Sequence, residues 1–293
     1  MANAYWPNGT KYPYRNSWVN KPLINSFIKR NALLTAAVLA LTPSASAFDP
    51  VSAASVFSRL ALEPELSDPS VSLIDLSTGE VVFESNAFSQ RKPASTMKIL
   101  AAAATLKHLQ AEQVFTTRVS IANVPDAIVI NGEFDPWVSM DHRVATKMNR
   151  TSFPRIAFNS LNRVRESSGG SIKKLKVYYN GIYGSEVSRY KAFYKKRGVK
   201  ASFIKVTDER ATALVREEIL TSQSPQVIKM VNWFMLWSDN QLSERMAKIA
   251  AKYAGNEFSD EGVAITFAEI LIGLGINPKQ LVVVDASGLS RQN

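Results

Sequence analysis

A serine and a lysine three residues apart could act as a nucleophile and its base. Ser95 and Lys98 open an Ala- and Leu-rich stretch that is predicted to be helical to about Leu109. Residues three apart lie on one face of a helix, so the Ser95 hydroxyl and the Lys98 amine can meet. A hydroxyl beside an amine that has lost its proton is an activated nucleophile, and burial favours the uncharged amine.

The spacing alone has little weight, because it occurs five times in this chain. The other four pairs are Ser26/Lys29, Ser171/Lys174, Ser188/Lys191 and Ser202/Lys205. Only Ser95 follows a predicted hairpin and a proline and precedes a long apolar helix. The alternative interpretation of Ser95 is an ordinary helix cap.

A second candidate element is Ser238-Asp239-Asn240, which interrupts two predicted helices, 227–237 and 241–254. A hydroxyl on such a bend can relay a proton to a departing amine. A carboxamide can hold a substrate amide and hydrogen-bond the lysine. Since Ser, Asp and Asn are also the residues that helix starts prefer, the bend taken alone is equally typical of a cap.

The composition excludes several kinds of site. The 293 residues include no cysteine and two histidines, His108 and His142. Structural disulfides and thiolate metal sites are therefore excluded, and little remains for a histidine metal centre or a Ser-His-Asp triad. Any serine chemistry would need a lysine base. The net charge is +10, and half of it lies in residues 1–47, so the remainder has only a mild basic excess.

The N-terminal region resembles an export signal. Lys29-Arg30 precedes a short apolar run, 32–41, which is followed by Ser44-Ala45-Ser46-Ala47. A positive flank, a short apolar core and an Ala-x-Ala end predict a secretory signal peptide, cleaved after Ala47, and a periplasmic protein. The alternative is a buried N-terminal helix.

The rest of the chain alternates strands and helices. We expect a helix at 48–62, a hairpin from 71–76 and 81–83, strands at 115–119, 127–130 and 172–179, helices from Thr207 onward, and a buried strand at 281–284. Composition changes near Asn123 and Glu217. The predicted domains are an N-terminal extension with signal peptide (1–47), a first part (48–122), an inserted α+β region (123–216) and a second part (217–293).

Residues 186–200 are basic and aromatic. Such a helix could bind nucleic acid or another polyanion. Runs of charged residues usually form solvated helix faces. We therefore favour a helix whose basic face is exposed and whose aromatic side chains pack inward. We expect no nucleic acid partner.

The two motifs together resemble the Ser-x-x-Lys and Ser-Asp-Asn signature of penicillin-binding proteins and serine β-lactamases. The separation of the motifs resembles the D-alanyl-D-alanine carboxypeptidase/endopeptidase family of low-molecular-weight penicillin-binding proteins. Segments 73–79, 131–136 and 285–293 are similar to further segments of that family. The resemblance covers about residues 50–135 and 217–293.

The resemblance implies a fold and a set of roles. The fold would be α/β: a transpeptidase fold with an antiparallel sheet flanked by helices, a helical subdomain and an inserted α+β region. Ser95 would be the acylated nucleophile, Lys98 its base, Ser238 the proton shuttle and Asn240 the group that orients substrate. Asp239, Ser287 and Ser290 would bind substrate. Peptidoglycan stem peptides would be substrates, β-lactams covalent inhibitors, and no metal or organic cofactor is implied; peripheral association with membrane or cell wall is also expected.

One element of the family is not found. Its Lys-Thr/Ser-Gly strand, which follows the Ser-Gly-Leu-Ser segment, would supply an oxyanion-hole N–H and a cation for the substrate carboxylate. We therefore expect a chain truncated before this strand, with an incomplete sheet. Three hypotheses follow: an active D,D-peptidase, an inactive homologue that binds cell wall or is a remnant, and a basic polyanion-binding protein.

Overall fold

The computed structural model describes residues 49–293, which form two compact units, 49–91 and 92–293. The predicted signal peptide, residues 1–47, lies outside the described residues. No helix within 49–293 combines the length and apolar character needed to cross a bilayer.

The unit 49–91 contains one helix and one hairpin. Helix α1 spans Pro50–Ala61 and begins at Asp49, whose carboxylate accepts hydrogen bonds from two backbone N–H groups of the first turn. Strands β1 (Val71–Ile74) and β2 (Val81–Ser85) pair antiparallel, as the alternating sequence predicts.

The unit 92–293 contains the remaining elements. A short 3-10 turn, Ala94–Met97, leads into the first of its helices. The helices are α2 (Lys98–His108), α3 (His142–Met148), α4 (Phe153–Ser167), α5 (Gly184–Lys195), α6 (Asp208–Leu214), α7 (Val227–Trp237), α8 (Asn240–Tyr253) and α9 (Asp260–Gly273). The strands are β3 (Thr116–Ala122), β4 (Ala127–Gly132), β5 (Lys174–Asn180), β6 (Lys200–Lys205) and β7 (Val215–Gln223).

The five strands form a mixed sheet in the order β6-β5-β4-β3-β7. Strands β4, β5 and β6 are parallel, and β3 is antiparallel to both β4 and β7. The prediction of helices from Thr207 onward is wrong at Val215–Gln223, which form β7 between α6 and α7. Strand β7 supplies hydrogen bonds to the edge of β3, a tertiary contact that local helix propensity does not register.

A helical cluster forms the second core of this unit. Apolar residues of α8 recur at Leu242, Met246, Ile249 and Ala250, which places them on one face. They pack with buried side chains of α2, α7 and α9 into one continuous core. One sequence motif lies at the start of α2 and the other at the bend between α7 and α8. The helical cluster therefore fixes the two motifs relative to each other.

The prediction of a buried strand at 281–284 is wrong. These residues form no strand, and exposed Val282 and Val284 alternate with half-buried Leu281 and Val283, which pack on the helical cluster. No strand within residues 49–293 pairs with this segment. The apolar sequence alone therefore predicted neither the exposure of Val282 and Val284 nor the lack of the hydrogen-bonded partner that a strand requires.

The basic face of helix α5 is exposed to solvent, as predicted from its run of charged residues. Arg189, Lys191 and Lys195 are exposed, whereas Tyr190 and Tyr194 are buried against α4 and the sheet. The two tyrosine rings are therefore not available to stack on a polymer ligand.

Asp135, in the segment after β4, is a buried carboxyl with incomplete hydrogen bonding. Its side chain is 3% exposed, and Oδ1 accepts a 2.8 Å hydrogen bond from the Trp137 backbone N–H. Within the described residues, Oδ2 has no partner. Burial raises the pKa of Asp135 from 3.8 to about 7. The Trp137 N–H, the Thr151 hydroxyl and the positive charge of Arg245 only partly oppose this rise.

We predict that this carboxyl makes the protein less stable as pH rises. Because the folded pKa lies above the unfolded one, the folded state holds the extra proton between pH 3.8 and about 7. Its stabilising effect is complete below the unfolded pKa and is lost through about pH 7. The Asp135→Asn variant should lose this dependence, on the order of 4 kcal/mol in the free energy of unfolding, measured by urea denaturation from pH 4 to 8. An Asp135→Asn profile parallel to the wild type would contradict this, and Glu112→Gln, on an exposed loop, is the control.

Candidate active site

Ser95 lies in the 3-10 turn that leads into α2, at the surface. The residue before it, Ala94, has a φ of +47°, a left-handed conformation that is uncommon for a residue with a side chain. Its carbonyl oxygen faces Gly288 so closely that a Cβ on that glycine would lie 1.6 Å from it. The nucleophile candidate therefore sits on a strained turn that the 285–293 loop buttresses.

Lys98 is buried at the first position of α2, with a relative exposure of 2%. Its Nζ atom lies 3.2 Å from Ser95 Oγ, 2.7 Å from Asn240 Oδ1 and 2.7 Å from the Ser287 carbonyl oxygen. The three oxygens come from three segments of the chain that are far apart in sequence. These three directed contacts hold the Lys98 amine in one position.

Burial lowers the pKa of the Lys98 amine below its usual value of 10.5. The negative charges of Glu244, Asp285 and Asp239 act in the opposite direction. Desolvation outweighs these three carboxylates, so the uncharged amine is more populated than it is for a lysine in water.

The bend between α7 and α8 brings the second motif to the first. Ser238 ends α7 in a left-handed conformation with φ +53°, and its Oγ lies 2.7 Å from Ser95 Oγ. Asn240 begins α8 and points its carbonyl oxygen at Lys98. The structure thus brings together Ser95, Lys98, Ser238 and Asn240, although 142 residues separate Lys98 from Asn240.

Asp239, predicted to bind substrate, has both carboxylate oxygens engaged within the protein. Oδ1 accepts a 3.0 Å hydrogen bond from the Leu242 backbone N–H and so caps α8. Oδ2 forms an ion pair with Arg150. In this arrangement Asp239 fixes the bend, and its contact with substrate stays a prediction.

Ser287 and Ser290, also predicted to bind substrate, lie in the loop 285–293. The Ser287 hydroxyl lies 3.2 Å from Asp285 Oδ1 and is buried, so the group it presents to the site is its carbonyl oxygen. Ser290 donates its backbone N–H to Asp285 and accepts from Gln292 N–H. Their roles toward substrate remain predictions.

The loop is wrapped around the Asp285 carboxylate. That carboxylate accepts hydrogen bonds from the backbone N–H groups of four loop residues, Ser287, Gly288, Leu289 and Ser290. Burial acts to raise the pKa of Asp285, but these N–H groups and the Asn293 amide outweigh it and hold the pKa below its usual value. The loop therefore has a charged centre that fixes the Ser287 carbonyl.

Two residues at the site were not identified from the sequence. Glu244 of α8 accepts hydrogen bonds from the Ala286 and Ser287 N–H groups at 3.1 Å and 2.8 Å, and so ties the loop to α8. Its position four residues after Asn240, on the same helix face, was the available signal. Arg150 has no comparable signal, since it lies in the segment between the motifs.

A cavity of about 520 Å³ adjoins Arg150, with Thr151 and Ser222 in its wall. Neither Ser95 nor Lys98 lines it. The exposed Ser95 and the buried Lys98 therefore both lie outside this cavity.

A protein-family model now identifies the chain's relatives. The model of the D-Ala-D-Ala carboxypeptidase 3 (S13) family matches residues 53–151 and 191–293, more than half of the chain. The chain belongs to the D-Ala-D-Ala carboxypeptidase 3 (S13) family. Both candidate motifs lie inside the matched residues of this S13 sequence. No curated protein matches it.

Solved structures resemble this S13 protein. Penicillin-binding protein 4 of Haemophilus influenzae, solved with a β-lactam, is 13% identical with a TM-score of 0.53, over 80% of this chain and 73% of that one. Two predatory endopeptidases of Bdellovibrio bacteriovorus, Bd3459 and Bd0816, each solved with the immunity protein Bd3460, are 11% identical, with TM-scores of 0.40 and 0.39. They cover 75% and 76% of this chain and 62% and 64% of theirs. The first likeness shows the fold: α/β, a mixed five-stranded sheet flanked by helices.

Gly288 offers a test of the buttress behind Ser95. Gly288 and Gly79 both have a φ of +76°, but a Cβ on Gly79 would meet nothing within 4 Å. Gly79→Ala should cost only the left-handed strain, about 1–2 kcal/mol. Gly288→Ala should cost more, because the methyl group must displace the loop from Ala94. Hydrogen–deuterium exchange should then accelerate at the 287–290 amides in Gly288→Ala alone; protection equal to wild type there would contradict the buttress.

Proposed function

We propose that the chain is a serine-type D-Ala-D-Ala carboxypeptidase/endopeptidase that cleaves peptidoglycan stem peptides through an acyl-enzyme on Ser95. The observation that carries the proposal is the contact of Lys98 Nζ with Ser95 Oγ, made while the amine is buried. Membership of a carboxypeptidase family supports the reaction class. The fold shared with penicillin-binding protein 4 is consistent with it.

The hydrogen-bond geometry accommodates both protonation states of the Lys98 amine, and the mechanism uses the neutral one. An uncharged lysine has two N–H donors and one lone pair. The two 2.7 Å contacts, to Asn240 Oδ1 and the Ser287 carbonyl, use both donors because carbonyl oxygens only accept. The ammonium form donates its third N–H to Ser95 Oγ. In the neutral form the lone pair takes the place of that donor, and the Ser95 hydroxyl would donate to it. Ser95 Oγ and Ser238 Oγ share a hydrogen bond in which either hydroxyl can donate. When Ser95 donates to Lys98, Ser238 would donate to Ser95.

Acylation follows from this arrangement. Lys98 takes the Ser95 proton as Oγ forms a bond with the carbonyl carbon of the penultimate D-alanine. The peptide C–N bond then breaks, and the departing amine receives a proton through the Ser238 hydroxyl from the Lys98 ammonium. Asn240 stays hydrogen-bonded to Lys98 and orients the substrate amide. Water later cleaves the ester, with the same lysine as base.

The proposal extends to inhibitors and location. A β-lactam mimics the D-Ala-D-Ala bond, so opening of its ring by Ser95 would leave a stable ester. The predicted signal peptide supports a periplasmic location, where stem peptides occur, and association with the cell wall. The mechanism needs no metal or organic cofactor.

Labelling by a fluorescent penicillin tests the nucleophile. The wild-type protein should carry one covalent label, and Ser95→Ala should abolish it because no other hydroxyl contacts the Lys98 amine among the described residues. Ser171→Ala is the matched control, since Ser171 and the exposed Lys174 share the Ser-x-x-Lys spacing but Ser171 is exposed, outside the site. Gel fluorescence and peptide mass spectrometry provide the measurement.

Labelling that persists in Ser95→Ala would refute the assignment of the nucleophile. A wild-type chain that gives no acyl adduct would favour the alternative of an inactive homologue that binds cell wall. Retention on a polyanion column that disappears when the α5 lysines are changed to glutamine would favour the polyanion-binding alternative.

A further inference from the structure

We propose that Arg150 is a positioning residue for the proposed active site, acting through Asp239 on Ser238, Asn240 and Lys98. The inference rests on the proposed function. Arg150 comes from the segment between α3 and α4, far in sequence from either motif. The region of the chain between the two motifs would then supply a residue that positions the site.

The ion pair of Arg150 and Asp239 is largely shielded from water. The side chains are 7% and 19% exposed, and the Nη2–Oδ2 distance is 2.5 Å. Asp239 uses its other oxygen to cap α8. One carboxylate thus links the guanidinium to the helix that begins with Asn240, so a shift of Arg150 is transmitted to that helix end.

Arg150 is itself held in place by aromatic rings. Its guanidinium carbon lies 4.4 Å from the ring centroid of Trp137 and 5.8 Å from that of Trp233. The two rings meet edge to face at 5.6 Å. The Trp137 indole N–H donates to the Asn149 carbonyl, at the residue before Arg150. A planar guanidinium suits this setting, and a lysine ammonium reproduces its charge but not its fork or its stacking.

The bend that the ion pair holds is strained. Ser238 is left-handed at φ +53° although it has a side chain, and such a conformation persists only where its surroundings impose it. Without Arg150, Asp239 could move and the bend could relax. The 2.7 Å contacts Ser238–Ser95 and Asn240–Lys98 would then lengthen. A displacement of about 1 Å in such a constellation can cost about 100-fold in rate.

Arg150 also affects the protonation of Lys98 through its charge. This effect on the pH profile distinguishes a positioning role from a general loss of stability. The negative charges of three carboxylates act to raise the pKa of Lys98: Glu244 on α8, Asp285 on the loop and Asp239 on the bend. Arg150 neutralises the last of these. Removal of Arg150 leaves Asp239 unpaired, which favours the ammonium form of Lys98. Removal of the Asp239 charge leaves Arg150 unpaired, which favours the neutral amine.

The two halves of the ion pair should therefore shift the pH profile in opposite directions. We would measure the second-order rate of acylation by fluorescent penicillin from pH 5 to 10 for wild type, Arg150→Gln, Arg150→Lys and Asp239→Asn. Arg150→Gln should lower the plateau rate about 100-fold and move the acid limb to higher pH. Asp239→Asn, which still caps α8, should move the acid limb to lower pH.

Arg150→Lys distinguishes charge from geometry. It should return the acid limb toward its wild-type position while the plateau stays low, because lysine lacks the planar fork. Arg143→Gln, an exposed residue on α3, is the matched control and should leave the rate and the profile unchanged. Circular dichroism at each pH identifies the folded variants, and Arg150→Lys carries the test if Arg150→Gln does not fold.

The outcomes separate the two proposals. A wild-type protein that penicillin does not acylate overturns the proposed function. A wild type that is acylated, with Arg150→Gln and Arg150→Lys matching it in rate and profile, overturns only the role of Arg150. Acid limbs of Arg150→Gln and Asp239→Asn that move in the same direction also overturn it.

Discussion

The removal of one lysine amine from water is the constraint on which the rest of the site depends. Lys98 is nearly fully buried, and an isolated ammonium in that position would carry a large desolvation penalty. The surrounding oxygens of Ser95, Asn240 and Ser287 reduce this penalty by direct contact. Because each comes from a different segment, the amine is where the turn before α2, the bend before α8 and the C-terminal loop meet.

Two of these segments, the C-terminal loop and the bend before α8, are fixed by carboxylates that do not touch the proposed nucleophile. Asp285 organises the loop from within, Glu244 ties it to α8, and Asp239 caps α8 and pairs with Arg150. The same three carboxylates favour the charged form of Lys98. The site therefore balances two needs: negative charge holds the segments in position, and burial must outweigh that charge if the amine is to act as a base.

The parts of the structure that sequence could predict are those set by local pattern. The helix 227–237 was predicted with its observed bounds because Ser224 and Pro225 signal a helix start and the polar residues 238–240 signal its end. The hairpin of β1 and β2 was predicted because its strands alternate around a turn. Strand β7 was missed, since its identity comes from pairing with β3. Segment 281–284 was misassigned for the converse reason, as an apolar run without a partner strand.

The candidate site shows the same division. The meeting of Ser95 and Lys98 was expected from their spacing on a helix, although spacing alone cannot select one Ser-x-x-Lys pair from five. The roles of these residues and of Ser238 and Asn240 in one site came from a family resemblance. The resemblance did not reveal that the Ser287 carbonyl contacts Lys98, or that Arg150 holds the bend. Backbone contacts and ion pairs between distant segments have no pattern in a single sequence, and they become visible only once the chain is folded.

The central claim is that Lys98 is uncharged more readily than an ordinary lysine, and its titration tests that claim most directly. In protein labelled with carbon-13 at the lysine Cε, the Lys98 signal can be assigned by its loss in Lys98→Gln and followed by NMR as pH rises. We predict a midpoint below 10.5 for Lys98. A Lys98 midpoint at or above 10.5 would contradict the account.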